Sequence, residues 1–410
     1  MPYFSIIRHT PGLRIAGLAL LLFGAYAASV HPFQSLIGIQ QIGLSPADYA
    51  LVMVLASAVS VSSSVLLGIW GDRLAQRRAL VIATTSVGTL GLALMLLVPS
   101  RASFVICHGI AVPITASLYG QYFALIRLSL TPRPEARTAV VTALRSCMSG
   151  SFLAALVVWN AYLRQGGELM HIYAGAFAVS AVTTLAMLLW WPRDGQAHWQ
   201  DEPSGLTLMD ALAEMARPAI RWRLLFMGAI SSVTTLLGML LPLIFAASPT
   251  RTPGDGALYW GIVAGWEVPV MLALPLWGRH LSRSRLITLG GLGYGCHLVL
   301  MQWLVDSPAV WGLTLLGGAS GAVIFSLQIS YLQDLLHERP GTAVALLAVQ
   351  KLAGDLMASA AFALGAAWGG YHVTALLGGA LGCLGAFSLM LADRHAEPQA
   401  RNAGQADVAG

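Results

Sequence analysis

Charge is scarce in this sequence. Only 10% of its 410 residues are Asp, Glu, Lys or Arg, against about a quarter in soluble domains, which excludes an ordinary soluble fold. Lysine is almost missing, with Lys351 the single example. The four cysteines, Cys107, Cys147, Cys296 and Cys383, lie far apart inside apolar runs. That scatter excludes a disulfide framework or a zinc motif and leaves them as small packing residues. No HExxH, GxSxG or His/Asp cluster is present, so the catalytic groups of a membrane-embedded transferase are lacking and no metal or cofactor is implied. Nor is there a polar stretch long enough for the ligand-binding or signalling domain of a receptor. What remains is apolar: 57% hydrophobic residues and a mean hydropathy of +0.71. One hydrocarbon crossing needs roughly 20 residues, so the chain has room for about twelve and little else.

Apolar runs bounded by charged or Pro/Gly breaks place spans at 15–37, 47–69, 79–98, 103–127, 138–162 and 170–192, then at 222–247, 257–277, 285–304, 309–332, 342–366 and 371–391. In lipid each should be a helix, because backbone polar groups have no water to bond. The expected organisation is a six-helix half over 1–192, a polar linker over 193–221 with a surface helix around Leu208 to Ala216, a second six-helix half over 222–391, and a tail over 392–410 without regular structure. The segment before the first span shows no convincing cleavage site, so that span is expected to be retained.

The basic residues set the orientation. Of the 23 Lys and Arg residues, only Arg101, Arg164 and Arg251 fall on one set of alternating loops, and Arg145 and Lys351 lie within spans. The rest, from Arg8 and Arg14 to Arg394 and Arg401, share the other side. By the positive-inside bias both termini and the linker are expected in the cytoplasm. The net charge of +5 is thereby explained without nucleic acid. A shift of roughly 205 residues also lays GIWGDRLAQRR (Gly68 to Arg78) over PLWGRHLSRSR (Pro275 to Arg285) and pairs Gln121 with Gln328, the mark of a duplicated architecture.

Twelve helices in two same-direction halves, with a basic turn after the second helix of each, resemble the major facilitator superfamily. GIWGDRLAQRR resembles its signature loop through Gly68, Asp72, Arg73, Arg77 and Arg78, departing at Ala75 and Gln76. Asp72 is expected either to face the N-terminus of helix 11 and steady one conformation or simply to orient helix 2. Within the superfamily, YFALIR (Tyr122 to Arg127), AGWEVPVMLA (Ala264 to Ala273) and YLQDLLHERPGTAVAL (Tyr331 to Leu346) resemble the bacterial sugar efflux transporter family. This resemblance implies a monomeric, proton-linked exporter of sugars or glycosides in the inner membrane. Export of another polar metabolite, such as an antibiotic or siderophore, is the alternative.

Charges inside spans are costly and therefore candidates for function. Arg145 falls in the fifth span, Glu267 in the eighth, and Lys351 with Asp355 in the eleventh. In the superfamily's arrangement helices 5 and 8 face each other, so the resemblance sets Arg145 towards Glu267. Glu267 is the expected proton-responsive group, a static ion pair being the alternative. Lys351 and Asp355, four residues apart, share one helical face and are able to neutralise each other. Sugar recognition draws on in-span amides and aromatics: Gln34, Gln121, Asn160, Gln328 and Gln350, with Trp159, Trp266 and Tyr331 as platforms, or else these serve helix contacts. His31, followed by Pro32, joins a titratable ring to a helix break.

Overall fold

Proline and short polar side chains set the helix starts. Proline opens the helices at Pro11, Pro46, Pro218 and Pro253, the position where its missing N–H costs nothing. Ser100 caps the helix beginning at Arg101 through a reciprocal box with Ser103. At the eighth helix the Thr252 amide and hydroxyl both donate to Asp255 Oδ2 at 2.9 Å while the Asp255 amide donates back to the Thr252 hydroxyl. Such boxes satisfy amides that a helix cannot.

The computed structural model describes residues 2–74, 77–131, 136–192, 217–277, 281–334 and 340–406, and among these it contains helices, turns and no strand. After a short N-terminal helix, Pro2–His9, the chain forms α1 (Pro11–Gln41), α2 (Pro46–Leu74), α3 (Arg77–Leu97), α4 (Arg101–Ser129), α5 (Arg137–Arg164) and α6 (Met170–Trp190). There follow α7 (Pro218–Ala247), α8 (Pro253–Trp277), α9 (Arg283–Leu304) and α10 (Val310–Asp334). The last helical stretch, Pro340–Ala406, breaks at Gly369 and Gly370 into α11 (340–368) and α12 (371–406). Ten described stretches are long and apolar enough to cross a membrane. One of them contains both α11 and α12, and α9 completes the twelve expected helices.

Three boundaries differ from the sequence expectation. The linker ends early, because Pro218 already opens α7, whereas the surface helix expected near Leu208 to Ala216 lies outside the described residues. Helix also continues to Ala406, where an irregular tail was expected, and it does so through Pro398, a residue whose propensity opposes helix. Finally, α1 is not uniform. His31–Phe33 is a 3₁₀ turn and Ile37–Gln41 a π turn, the local adjustment by which a helix absorbs Pro32. A second π segment, Val105–Ala111, precedes Pro113 in α4.

The chain forms two compact units, Met1–Gly205 with Leu241–Gly261, and Leu206–Leu240 with Ile262–Gly410. Within the first, Leu13 and Leu20 of α1, Val81 of α3, Tyr122 and Ile126 of α4, Leu144 of α5 and Met187 of α6 form one buried cluster. Within the second, small residues let helices touch. A methyl group on Gly354 of α11 would meet the Gly228 carbonyl of α7 at 2.8 Å, and one on Gly379 of α12 would meet the Gly295 carbonyl of α9 at 2.9 Å. Packing of this kind holds helices together where lipid removes the hydrophobic drive between them.

Candidate functional site

In the second unit, α8 carries Trp266 and Glu267 side by side, facing α10. A methyl group on Gly318 would strike the Val263 carbonyl at 2.6 Å and the Trp266 backbone at 3.3 Å. One turn along, a methyl group on Gly321 would meet Oε1 of Glu267 at 2.8 Å. The glycines thus let α10 lie directly against the carboxylate. Tyr294 of α9 stands within electrostatic reach of Glu267 and stacks on His297, their ring centroids 5.7 Å apart. His297 in turn lies over Gly317. Trp266 remains 41% exposed. Arg145 is exposed on α5 of the first unit, and Glu267 belongs to the second.

A second polar cluster joins α7, α10 and α11. Gln350 is fully buried; its amide donates to the Met227 carbonyl at 3.1 Å and to Ser231 Oγ at 2.7 Å. Gln328 donates to the Gln350 carbonyl oxygen and accepts from Ser231 at 3.4 Å. The two amides expected to contact solute are therefore brought together, yet they spend these groups on each other and on α7. One turn along α11, Lys351 Nζ and Asp355 Oδ2 are 2.6 Å apart. The Thr235 hydroxyl of α7 adds a bond of 2.7 Å to Asp355 Oδ1. Towards the linker end of the same unit, Arg223 Nε and the Tyr331 hydroxyl both donate to Asp393 Oδ1 at 2.9 Å. Tyr331 thus tethers α10 to α12.

In the first unit, Gln121 is 5% exposed. Its carbonyl accepts from Arg77 at 2.9 Å and its amide donates to the Leu67 carbonyl at 3.4 Å. The equivalence with Gln328 holds in kind, for each amide ties helices within its own unit. Arg78 donates to the Leu188 carbonyl of α6 at 2.6 Å. Gly68 lies within α2, and the side chains of Asp72 and Arg73 lie outside the described residues. Half-buried Gln34 donates weakly to Met53 Sδ at 3.5 Å, and His31 is exposed beside the 3₁₀ turn. Trp159 donates to Ser29 at 2.9 Å. Asn160 is 8% exposed, and its side-chain amide has no hydrogen-bond partner. Gly254, at the start of α8, packs on the Asn160 backbone, which a methyl group there would meet at 3.0 Å. Nearby, buried Asp255 lies 3.8 Å from Arg164.

Sequence reasoning passed over His108 and Tyr173, which hydrogen-bond to each other in the interior of the first unit. His108 sits in the π segment of α4 with its ring centroid 4.5 Å from that of Phe104. A histidine inside an apolar run was the available signal. Tyr294, Ser231 and Gly321 carried none, because their roles depend on which helices meet. Among the described residues no group of three or more His, Cys, Asp or Glu side chains is placed to hold a metal.

Comparison with known proteins agrees with this architecture. The profile of the Major Facilitator Superfamily matches residues 15–358. A protein of Deinococcus radiodurans named "Putative sugar efflux transporter" is 27% identical over 387 residues, covering 91% of this chain and 96% of the relative. Among solved structures, the nucleoside transporter NupG superposes with a TM-score of 0.77 at 14% identity, over 94% of this chain and 98% of that one. The peptide transporter POT in complex with sulfate superposes with a TM-score of 0.78 at 11% identity, over 94% and 95%. The duplicated six-helix pattern, the twelve helices and the profile match agree: the chain belongs to the major facilitator superfamily and is a multi-pass membrane transporter of a small solute, not an enzyme.

Proposed function

We propose that this protein exports a sugar or glycoside in exchange for protons. It works as a monomer in a bacterial inner membrane with both termini in the cytoplasm. The carrying observation is the 27% identity, sustained over 387 residues, to a relative named for sugar efflux. The arginine bias supports the orientation. Glu267 supports proton coupling, because a carboxylate inside a span changes its protonation as its access to water changes. Trp266 is the solute contact favoured by its exposure, an aromatic face for the sugar ring. The halves expose the site alternately to the two sides, and proton entry drives solute exit.

The test is uptake of labelled lactose and methyl glucoside into inverted vesicles with an inward-acidic gradient, for the wild type and Glu267→Gln. Accumulation that depends on the gradient and is lost in the variant is expected. Folded wild-type protein that accumulates neither sugar refutes the cargo. Undiminished accumulation by Glu267→Gln refutes the assigned proton carrier.

A further inference from the structure

The three buried glycines of α10 face different neighbours. Gly317 lies under the His297 ring, Gly318 under the backbone of α8, and Gly321 under the tip of one side chain, the Glu267 carboxylate. The last contact bears on the group given the proton-carrying role. There an added methyl group would meet the tip of a flexible side chain, whereas at Gly318 it would meet Trp266 Cβ and the Val263 carbonyl. The next atoms near it, Glu267 Cδ and Phe325 Cε2, are each 3.6 Å away, ordinary contacts.

We propose that Gly321 is a positioning residue for proton coupling: the missing side chain at this point of α10 is the seat that holds the Glu267 carboxylate between α8 and α10. The inference rests on Glu267 being the proton carrier. Gly321→Ala brings a carbon to 2.8 Å from Oε1, well inside ordinary van der Waals contact. The helices need not move, because the carboxylate gives way by rotating off α10 and becomes more accessible. Shortening the side chain by one methylene in Glu267→Asp retracts the carboxylate by about 1.5 Å, one carbon–carbon bond. That retraction exceeds the overlap, so the double variant regains a seated carboxylate. Gly312, on the same helix, has open space where its side chain would be, and Gly312→Ala serves as the control for an added methyl group.

The seat is read without any solute by the rate at which dicyclohexylcarbodiimide, which adds to protonated carboxyl groups, labels Glu267, located by peptide mass spectrometry. Labelling is expected to rise about tenfold in Gly321→Ala, in keeping with the sensitivity of positioned groups to sub-ångström displacement, and to stay at the wild-type rate in Gly312→Ala. An unchanged or slower rate in Gly321→Ala, or an equal rise in Gly312→Ala, overturns the seat. The consequence for coupling is read in vesicles as the ratio of gradient-driven accumulation to gradient-free exchange of labelled lactose. That ratio is expected to fall about tenfold in Gly321→Ala and to recover in Gly321→Ala with Glu267→Asp. A proportional loss of both rates would make Gly321 a packing residue and overturn the proposal. Wild-type accumulation by Glu267→Gln would instead remove the reading on which it rests while leaving the labelling result intact.

Discussion

Replacing Gln350 by methionine distinguishes a structural amide from a solute ligand. The side chain is fully buried and takes part in three hydrogen bonds, to Met227, Ser231 and Gln328. Methionine keeps the length and removes all three. Hydrogen bonds between membrane helices contribute about 0.6 kcal/mol each, so the variant is expected to lose about 2 kcal/mol. Equilibrium unfolding in mixed micelles of mild detergent and dodecyl sulfate reads this loss directly. Ser231→Ala removes two of the four contacts in the cluster, one to each glutamine, and should cost about 1 kcal/mol on the same basis. Its effect combined with Gln350→Met should be less than additive, because the two share a bond. Solute affinity is expected to stay within about twofold in protein that remains folded, a change of less than half a kcal/mol. Unchanged stability with a large fall in solute affinity would refute this account and return Gln350 to the solute site.

Other expectations concern the ion pairs of the second unit. Asp393→Ala deprives Arg223 and Tyr331 of a shared acceptor and should lower stability by about 1–3 kcal/mol, measurable as a lower Tm in detergent. Tyr331→Phe should cost less, since the ion pair of 2.9 Å is left in place. For Lys351 and Asp355 the lysine side chain is 59% exposed while the aspartate is 8% exposed. A double-mutant cycle of Lys351→Met and Asp355→Asn should therefore give a coupling of about 1 kcal/mol, discounted for screening. A coupling indistinguishable from zero would mean that the pair is incidental to stability.

Much of the fold was legible because a membrane imposes a coarse code. A run near 20 apolar residues must be a helix, and arginines mark its ends. The twelve helices and the adjustment at Pro32 follow from such rules. The site was less legible because residue type does not encode partner. Gln121 and Gln328 read as paired solute contacts from their repeat positions, but the structure commits Gln121 to Arg77 and Leu67, and Gln328 to Gln350. Lys351 and Asp355 were readable, since a four-residue spacing on one helix fixes their proximity. The contact of Gly321 with Glu267 was not, because it needs the register between α8 and α10, and nothing in the 53 residues between the two specifies that register. The tail from Asp393 to Ala406 shows the reverse case, in which polarity and Pro398 suggested irregular chain and the backbone is helical.

The turn between α11 and α12 has a mechanical consequence. Only Gly369 and Gly370 separate the two helices, with Gly370 at φ +72° and ψ −159°, a backbone region that essentially glycine alone enters. A connection this short stores no slack. It acts as a stiff joint, so a displacement of α11 at that end must be passed to α12 instead of being absorbed in a loop. A flexible insert between residues 369 and 370 would uncouple the two helices while leaving every side chain in place, turning a linkage into a clutch.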